Sequence, residues 1–269
     1  MLLRDYCWLW GHPAGRYNEN TENFGCPDVS RMTPMEACLY LGIRNTFMVP
    51  VGVDVNKRQY NKSFKTLNQV GWECFDACEK PELVDEIIAE AKDFENISCV
   101  VIDDFKIEEN GVPRYKKMPI SMLENLNNKL HNNDVRRLDS WMVLYTYQFG
   151  VDEEADKDFQ PYMDEFDGVI MWTWKEKDVN LIPEKFEIFK KQTPKTRRMV
   201  GCYLYNFGES KQATGEAVKW QLDFYRELLL KGEIEGIVLH TNTMADLDYE
   251  AYDAAVAWME EHGDEVIDR

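Results

Sequence analysis

Ser98-Cys99-Val100-Val101-Ile102-Asp103-Asp104-Phe105-Lys106 runs four apolar or small residues straight into two adjacent aspartates. A short, continuous run rich in β-branched residues and bounded by polar ones predicts a strand covered on both faces, as in a parallel sheet. In such sheets the working residues stand just past the carboxyl ends of the strands, where Asp103 and Asp104 fall. Neighbouring strand residues point to opposite faces, so both carboxylates reach one site only if the strand ends or bulges there. Carboxylates about 5 Å apart at an effective dielectric of ~20 repel by about 3 kcal/mol. That is about 2 pKa units, enough to hold one protonated near neutral pH. A proton-carrying carboxyl beside an ionised one is what glycoside cleavage requires. In the alternative reading one aspartate caps the following segment and the other is solvated.

Upstream, Tyr6–Gly11 (YCWLWG) predicts a first strand, broken by His12-Pro13, and residues 13–31 a polar loop. Thr33-Pro34-Met35-Glu36 has the form of a capped helix start. Thr46–Val51 (TFMVPV) predicts a second strand, residues 63–70 a short helix, and Trp72–Phe75 a third strand followed by Asp76. A helix over Glu82–Phe94, with Leu83, Val84, Ile87, Ile88 and Ala91 on one face, leads into the aspartate strand. Downstream come a charged loop (106–118), a helix capped by Ser121, and strands over Trp141–Phe149, Val169–Trp174, Met199–Phe207 and Gly236–His240. Helical patterns follow these strands in turn, at 151–165, 183–191, 214–230 and 249–262. Eight strands, each followed by a loop or helix and none joined by an Asn-Gly hairpin signal, predict an α/β fold of the (β/α)₈ TIM barrel type. The rival, an open doubly wound sheet, would carry a Gly-rich phosphate turn after the first strand, and WLWGHPAG has no G-x-G-x-x-G. No linker composition interrupts residues 1–269, which are expected to form a single barrel domain.

The net charge of -18 makes nucleic acids and anionic membranes poor partners. Seven scattered cysteines, an odd number lying partly in apolar runs, point to free thiols in a reducing compartment, the cytoplasm. MLLRDYCWLWG lacks the form of a signal peptide, and no apolar run approaches the ~18 residues of a membrane span. Cys74-x-x-x-Cys78 lacks zinc-knuckle spacing and a second ligand pair. Only His12 and His240 of four histidines fall at strand ends, and no H-x-H, G-x-S-x-G or Walker loop occurs. Neither a metal nor a cofactor is expected.

A barrel brings its eight carboxyl-terminal strand ends around one pocket. Here those ends carry Trp10 and His12, Asp54, Asp76, Asp103 and Asp104, then Tyr145, Tyr147 and Gln148. Trp172 and Trp174, then Tyr203, Tyr205 and Asn206, and finally His240 and Asn242 complete the ring. Aromatic rings stack on the apolar faces of sugars, and amides, imidazoles and acids bond hydroxyls, so a carbohydrate partner is expected. Tyr and Trp also favour strands, and about half of these residues are expected to be core.

At the strand ends the chain resembles glycoside hydrolase barrels of the O-GlcNAcase type, β-N-acetylglucosaminidases with paired aspartates. VVIDDF resembles their fourth-strand aspartate motif, IMWTW their Trp-Thr-Gly sequence on the sixth strand, and YLYNFGE, more loosely, their aromatic-Asp-Asn sequence on the seventh. Trp174 replaces the glycine after Thr173, and Leu204 and Tyr205 stand where the family has Trp and Asp. The resemblance implies that Asp103 orients and polarises a substrate acetamide, that Asp104 is the general acid/base, and that Asn206 bonds a sugar hydroxyl. The acetamide oxygen would then be the nucleophile, a substrate-assisted exception to the two-carboxylate scheme.

The leading expectation is therefore a metal-independent glycosidase acting on a small glycoside or oligosaccharide. A variant uses Glu209, just past the seventh strand, as the second carboxylate. A non-catalytic carbohydrate-binding barrel would keep the aromatics without a proton-carrying acid. A sugar-acid lyase or isomerase would show a cation in the pocket, for which Lys106 and Lys175 are the candidates.

Overall fold

Eight parallel strands close into a barrel in the computed structural model, which describes residues 1–18, 24–26 and 28–268. The strands are β1 (Cys7–Gly11), β2 (Asn45–Met48), β3 (Gln69–Glu73), β4 (Ile97–Ile102), β5 (Asp139–Tyr145), β6 (Gly168–Trp172), β7 (Arg197–Tyr203) and β8 (Gly236–His240). Sequential strands pair in parallel, and β8 closes on β1 through Cys7 opposite Ile237 and Trp10 opposite His240. The intervening helices are α1 (Pro34–Tyr40), α2 (Lys57–Ser63), α3 (Val84–Glu90), α4 (Ile120–His131), α5 (Glu153–Glu165), α6 (Ile182–Gln192), α7 (Gly215–Leu230) and α8 (Glu250–His262). This is the expected (β/α)₈ TIM barrel.

Strand alternation divides the apolar residues into two layers. Trp8, Trp10, Val101, Trp141, Ile170 and Trp172 fill the barrel interior. Cys7, Leu9, Val100, Ile102, Met142 and Met171 pack outward under the helices. Large interior rings fit because the paired position on the next strand is glycine. Trp141 lies opposite Gly168 and Trp172 opposite Gly201. A Cβ on Gly168 would come within 2.3 Å of the Trp141 ring, and one on Gly201 within 2.1 Å of Trp172.

The expected cap on α1 is present: Thr33 Oγ1 accepts the Glu36 N–H at 3.3 Å, and the Glu36 carboxylate accepts the Thr33 N–H at 2.8 Å. Other boundaries move. The helix expected over 63–70 forms earlier, as α2, followed by a 3₁₀ turn over Phe64–Thr66. β3 starts at Gln69 rather than Trp72, because backbone pairing of Gln69 with Asn45 and of Val70 with Ile97 carries the ladder back through Gln69, Val70 and Gly71. α4 starts at Ile120 after Pro119, with no cap from Ser121. β5 ends at Tyr145, whose N–H is taken by the Gln148 side chain at 3.0 Å, not at Phe149. β7 ends at Tyr203, and Tyr205–Asn206 turns into a two-stranded ribbon with Lys211–Gln212. The charged segment after β4 holds a second small ribbon, Glu108–Glu109 with Val112–Pro113. All seven cysteines are buried free thiols. No helix among the described residues is long and apolar enough to cross a membrane.

Candidate active site

Inward alternation on β4 runs Cys99, Val101, and so aims Asp103 at the barrel axis. The ladder stops at Ile102, and Asp104 adopts a left-handed conformation, φ 49°. Aspartate tolerates that region better than most residues. The turn breaks the alternation, and both side chains line one cavity of about 130 Å³ at the carboxyl-terminal mouth of the barrel. The Asp104 N–H donates to Asp103 Oδ1 at 2.9 Å.

Enclosure by protein raises the Asp103 pKa well above the usual carboxylate range, and the adjacent Asp104 and Glu73 charges raise it further. The Asp104 N–H opposes this only in part. Glu73, the last residue of β3, is itself pushed up to about 7, chiefly by burial. Its Oε1 has no hydrogen-bond partner.

The other inward strand ends supply the walls. Trp10, Tyr145, Trp172, Trp174 and Tyr203 all face the cavity. Trp172 packs at 4.8 Å from Tyr203 and edge-on to Trp10 at 5.6 Å, ring centre to ring centre. A side-chain hydrogen bond joins Tyr145 and Tyr203, and burial holds both phenols well above their ordinary pKa. His12 and His240 form the remaining wall, with their Nε2 atoms 3.3 Å apart. His12 Nδ1 lies 2.7 Å from the Val49 carbonyl, which can only accept, so Nδ1 carries the proton. His12 Nε2 is then the acceptor facing His240 Nε2 and the Tyr17 hydroxyl, each at 3.3 Å. Burial lowers the His12 pKa to about 4 and holds that of His240 well below its ordinary value.

Other expected site residues lie elsewhere. Tyr147 is 59% exposed and stacks on the Tyr145 ring at 5.4 Å, on the side of a neighbouring cleft. Tyr205 is buried and donates its hydroxyl to the Phe24 carbonyl at 2.9 Å. Asn206, also buried, donates to Glu209 Oε2 at 2.7 Å. That bond lowers the Glu209 pKa and holds its carboxylate outside the cavity. Asn242 is fully buried and serves the backbone, bonding the His12 N–H at 2.7 Å and the His12 and Met32 carbonyls. Asp54 and Asp76 line an adjoining cleft. Lys106 donates to the Gln148 carbonyl at 2.6 Å and sits over Phe159, away from the cavity. Lys175 does not line the cavity either, and no lysine or arginine does among the described residues.

Tyr17, Phe24, Val51 and Phe207 line the cavity without having been singled out in the sequence. Tyr17 and Phe24 are the two aromatics of the polar 13–31 loop, a signal that they anchor it. Phe207 packs on His240 at 4.8 Å.

No protein-family model matches the chain, and no curated protein does. Solved structures match along nearly its whole length. Active domain 2 of a thermostable chitinase from Pyrococcus furiosus is 10% identical, covers 97% of each chain and superposes with a TM-score of 0.60. The glycoside hydrolase domain of PgaB (BpsB) from Bordetella bronchiseptica is 9% identical over 93% of this chain and 98% of that one, TM-score 0.56. The tryptophan synthase A-subunit from Pyrococcus furiosus is 12% identical over 97% and 98%, TM-score 0.53. What these three share with the chain is the barrel.

Proposed function

We propose that the cavity is the active site of a glycoside hydrolase with Asp103 and Asp104 as its acid pair. The observation that carries this reading is the placing of two adjacent carboxyls, one held well above its ordinary pKa, in a cavity walled by aromatic rings. The chitinase and PgaB likenesses agree with it, and the tryptophan synthase likeness is a reminder that the barrel alone does not decide chemistry.

The enclosure of Asp103 favours exchanging the roles that the resemblance implies. Asp103 carries the proton and gives it to the glycosidic oxygen as the bond to the anomeric carbon breaks and the leaving alcohol keeps the electron pair. Asp104, the second carboxyl of the pair, faces the developing positive charge. Among the described lining residues these are the two carboxyls of the cavity, and they stand on one wall. Double displacement through the enzyme needs a carboxylate on the opposite face of the sugar. Its lack favours a nucleophile within the substrate, the acetamide oxygen of an N-acetylhexosamine. That oxygen closes on the anomeric carbon while Asp104 takes the acetamide N–H proton. Water then opens the oxazoline, giving a proton to Asp103 as the ring nitrogen recovers its own.

Hydrolysis of fluorogenic N-acetylhexosaminides and plain hexosides by wild type, Asp103→Asn and Asp104→Asn tests the reading. Turnover of the N-acetyl compounds, lost in both variants, is expected. Turnover of plain hexosides alone would keep the glycosidase and remove the acetamide step. Tight sugar binding without turnover would make the chain a carbohydrate-binding barrel.

A further inference from the structure

The aspartates stand on a boundary. On one side is the aromatic cavity, and on the other is a cleft of about 620 Å³ that shares Val51, Asp103 and Asp104 with it. The cleft is built from the segment after β2, the end of β3 with the residues that follow it, and the start of α3. Its surface is unusual in leaving large apolar side chains in solvent: Val51, Val53, Phe75 and Leu83 are 37%, 46%, 37% and 42% exposed and all line it. Lone exposed apolar residues need no explanation, but a contiguous patch beside a reaction centre marks a binding surface. Of the charged groups lining it, Lys57, Glu86 and Asp76 are engaged in ion pairs, while Glu73 Oε1 has no hydrogen-bond partner. Lys57 pairs with Glu86 at 2.7 Å, and Asp76 with Lys80 at 3.2 Å and Arg114 at 3.6 Å. The Arg114 guanidinium also stacks over the Phe75 ring at 3.8 Å, fixing that ring at the edge of the cleft. Val51, at the junction, is held at φ 51°, a conformation that β-branched residues rarely adopt and that tends to occur where a site imposes it.

We propose that this cleft is the leaving-group subsite and that it takes an apolar aglycone, an alkyl or aryl group, rather than a second sugar. The inference rests on the glycosidase reading. A glycosidic oxygen beside Asp103 joins a sugar in the aromatic cavity to a leaving group that has to emerge at the shared boundary, over Val51. A second sugar there could reach the Asp54 and Glu73 carboxyls, but it would leave the exposed Val53, Phe75 and Leu83 side chains in water. An alkyl or aryl group would instead cover Val53, Phe75 and Leu83 and gain from their removal from water.

Specificity constants for methyl, octyl and N-acetylglucosaminyl β-N-acetylglucosaminides, or for the matching glucosides if those are cleaved, test this, with the octyl compound kept below its micellar concentration. The octyl glycoside is expected to exceed the methyl one at least tenfold in kcat/KM. Val53→Asp and Leu83→Ser, both at exposed positions, should each bring that ratio close to one. A wild-type ratio near one, or a preference for the disaccharide, would overturn the proposal. If no glycoside turns over, the glycosidase reading fails, and calorimetric binding of the octyl and methyl compounds then judges the cleft. Tenfold tighter octyl binding that Val53→Asp removes would sustain an apolar subsite, and equal binding would end it.

Discussion

At the amino-terminal end of the barrel, Trp141 and Asp139 stand beside Arg197. At the carboxyl-terminal end, Trp172 and Asp103 stand beside Asp104 and Glu73. Arg197 pairs with Asp139 at 2.6 Å, lies over the Trp141 ring at 5.0 Å, and is 3.5 Å from Glu235. Arg137 adds a second pairing to Asp139 at 3.1 Å. That end also has a cavity, of about 560 Å³, so hollowness does not separate the two. What separates them is compensation. The lower acid is matched by cations, whereas no lysine or arginine among the described residues lines the cavity that Asp103 and Asp104 share. Like charges held together cost stability, which is why they point to chemistry and the matched pair points to structure.

The largest expected contrast is in activity. Asp103→Asn and Asp104→Asn should each lower kcat/KM at least a thousandfold, about 4 kcal/mol of barrier, whereas Asp139→Asn should leave turnover within a few fold. Loss of turnover in Asp139→Asn with the fold intact would erase the distinction between the ends.

Next come the paired glycines. Gly168→Ala and Gly201→Ala should each cost about 1–3 kcal/mol by overpacking, read from denaturant unfolding. Gly201→Ala alone should also lower activity, because it displaces Trp172, which lines the mouth, whereas Trp141 lines the lower cavity. Equal effects on activity would show that the two ends are mechanically coupled.

Smaller is the opposite response of the two acids to amidation. A carboxyl whose folded pKa is raised binds its proton more tightly in the folded state. Stability is therefore lost as pH rises from the unfolded carboxylate range through the folded value. Asp103→Asn should remove that loss and stabilise the protein at neutral pH, with no gain near pH 3. Asp139→Asn should destabilise it by about 1 kcal/mol by weakening its arginine pairs. Melting curves at both pH values read the difference, and a shared sign would refute it.

The smallest is Glu73→Gln. The Glu73 charge helps raise the Asp103 pKa, so its removal should move the alkaline limb of kcat/KM to lower pH. A limb that stays in place would detach Glu73 from the acid pair.

Strand existence was legible because apolar runs punctuated by polar loops repeat along the chain. The phase of alternation was also present in it. Trp10, His12, Asp103, Tyr145, Trp172, Tyr203 and His240 each continue the inward alternation of their strand, and all reach the cavity. Tyr147 and Tyr205 share that phase two residues past their strand ends, as does Trp174, yet only Trp174 of the three lines the cavity. Alternation has no meaning once the backbone turns, and apolar residues alone do not mark where the ladder stops. Asn206, Glu209 and Asn242 have side-chain types suited to sugar recognition. Here their hydrogen bonds go to one another or to nearby backbone, a matter of tertiary geometry. Tyr17 and Phe24 arrive on a long loop whose path no local pattern dictates. Glu73 was hidden by the shift of β3, which makes it a strand-end residue.

The lowered pKa values of His12 and His240 have a calorimetric consequence. Both imidazoles are neutral far below physiological pH, so the proton exchanged by the cavity near neutrality belongs to a carboxyl. Carboxyl ionisation releases or absorbs little heat, whereas imidazole ionisation is strongly endothermic. The titration of this site should therefore stay in place on warming, in a pH range where imidazoles usually drift.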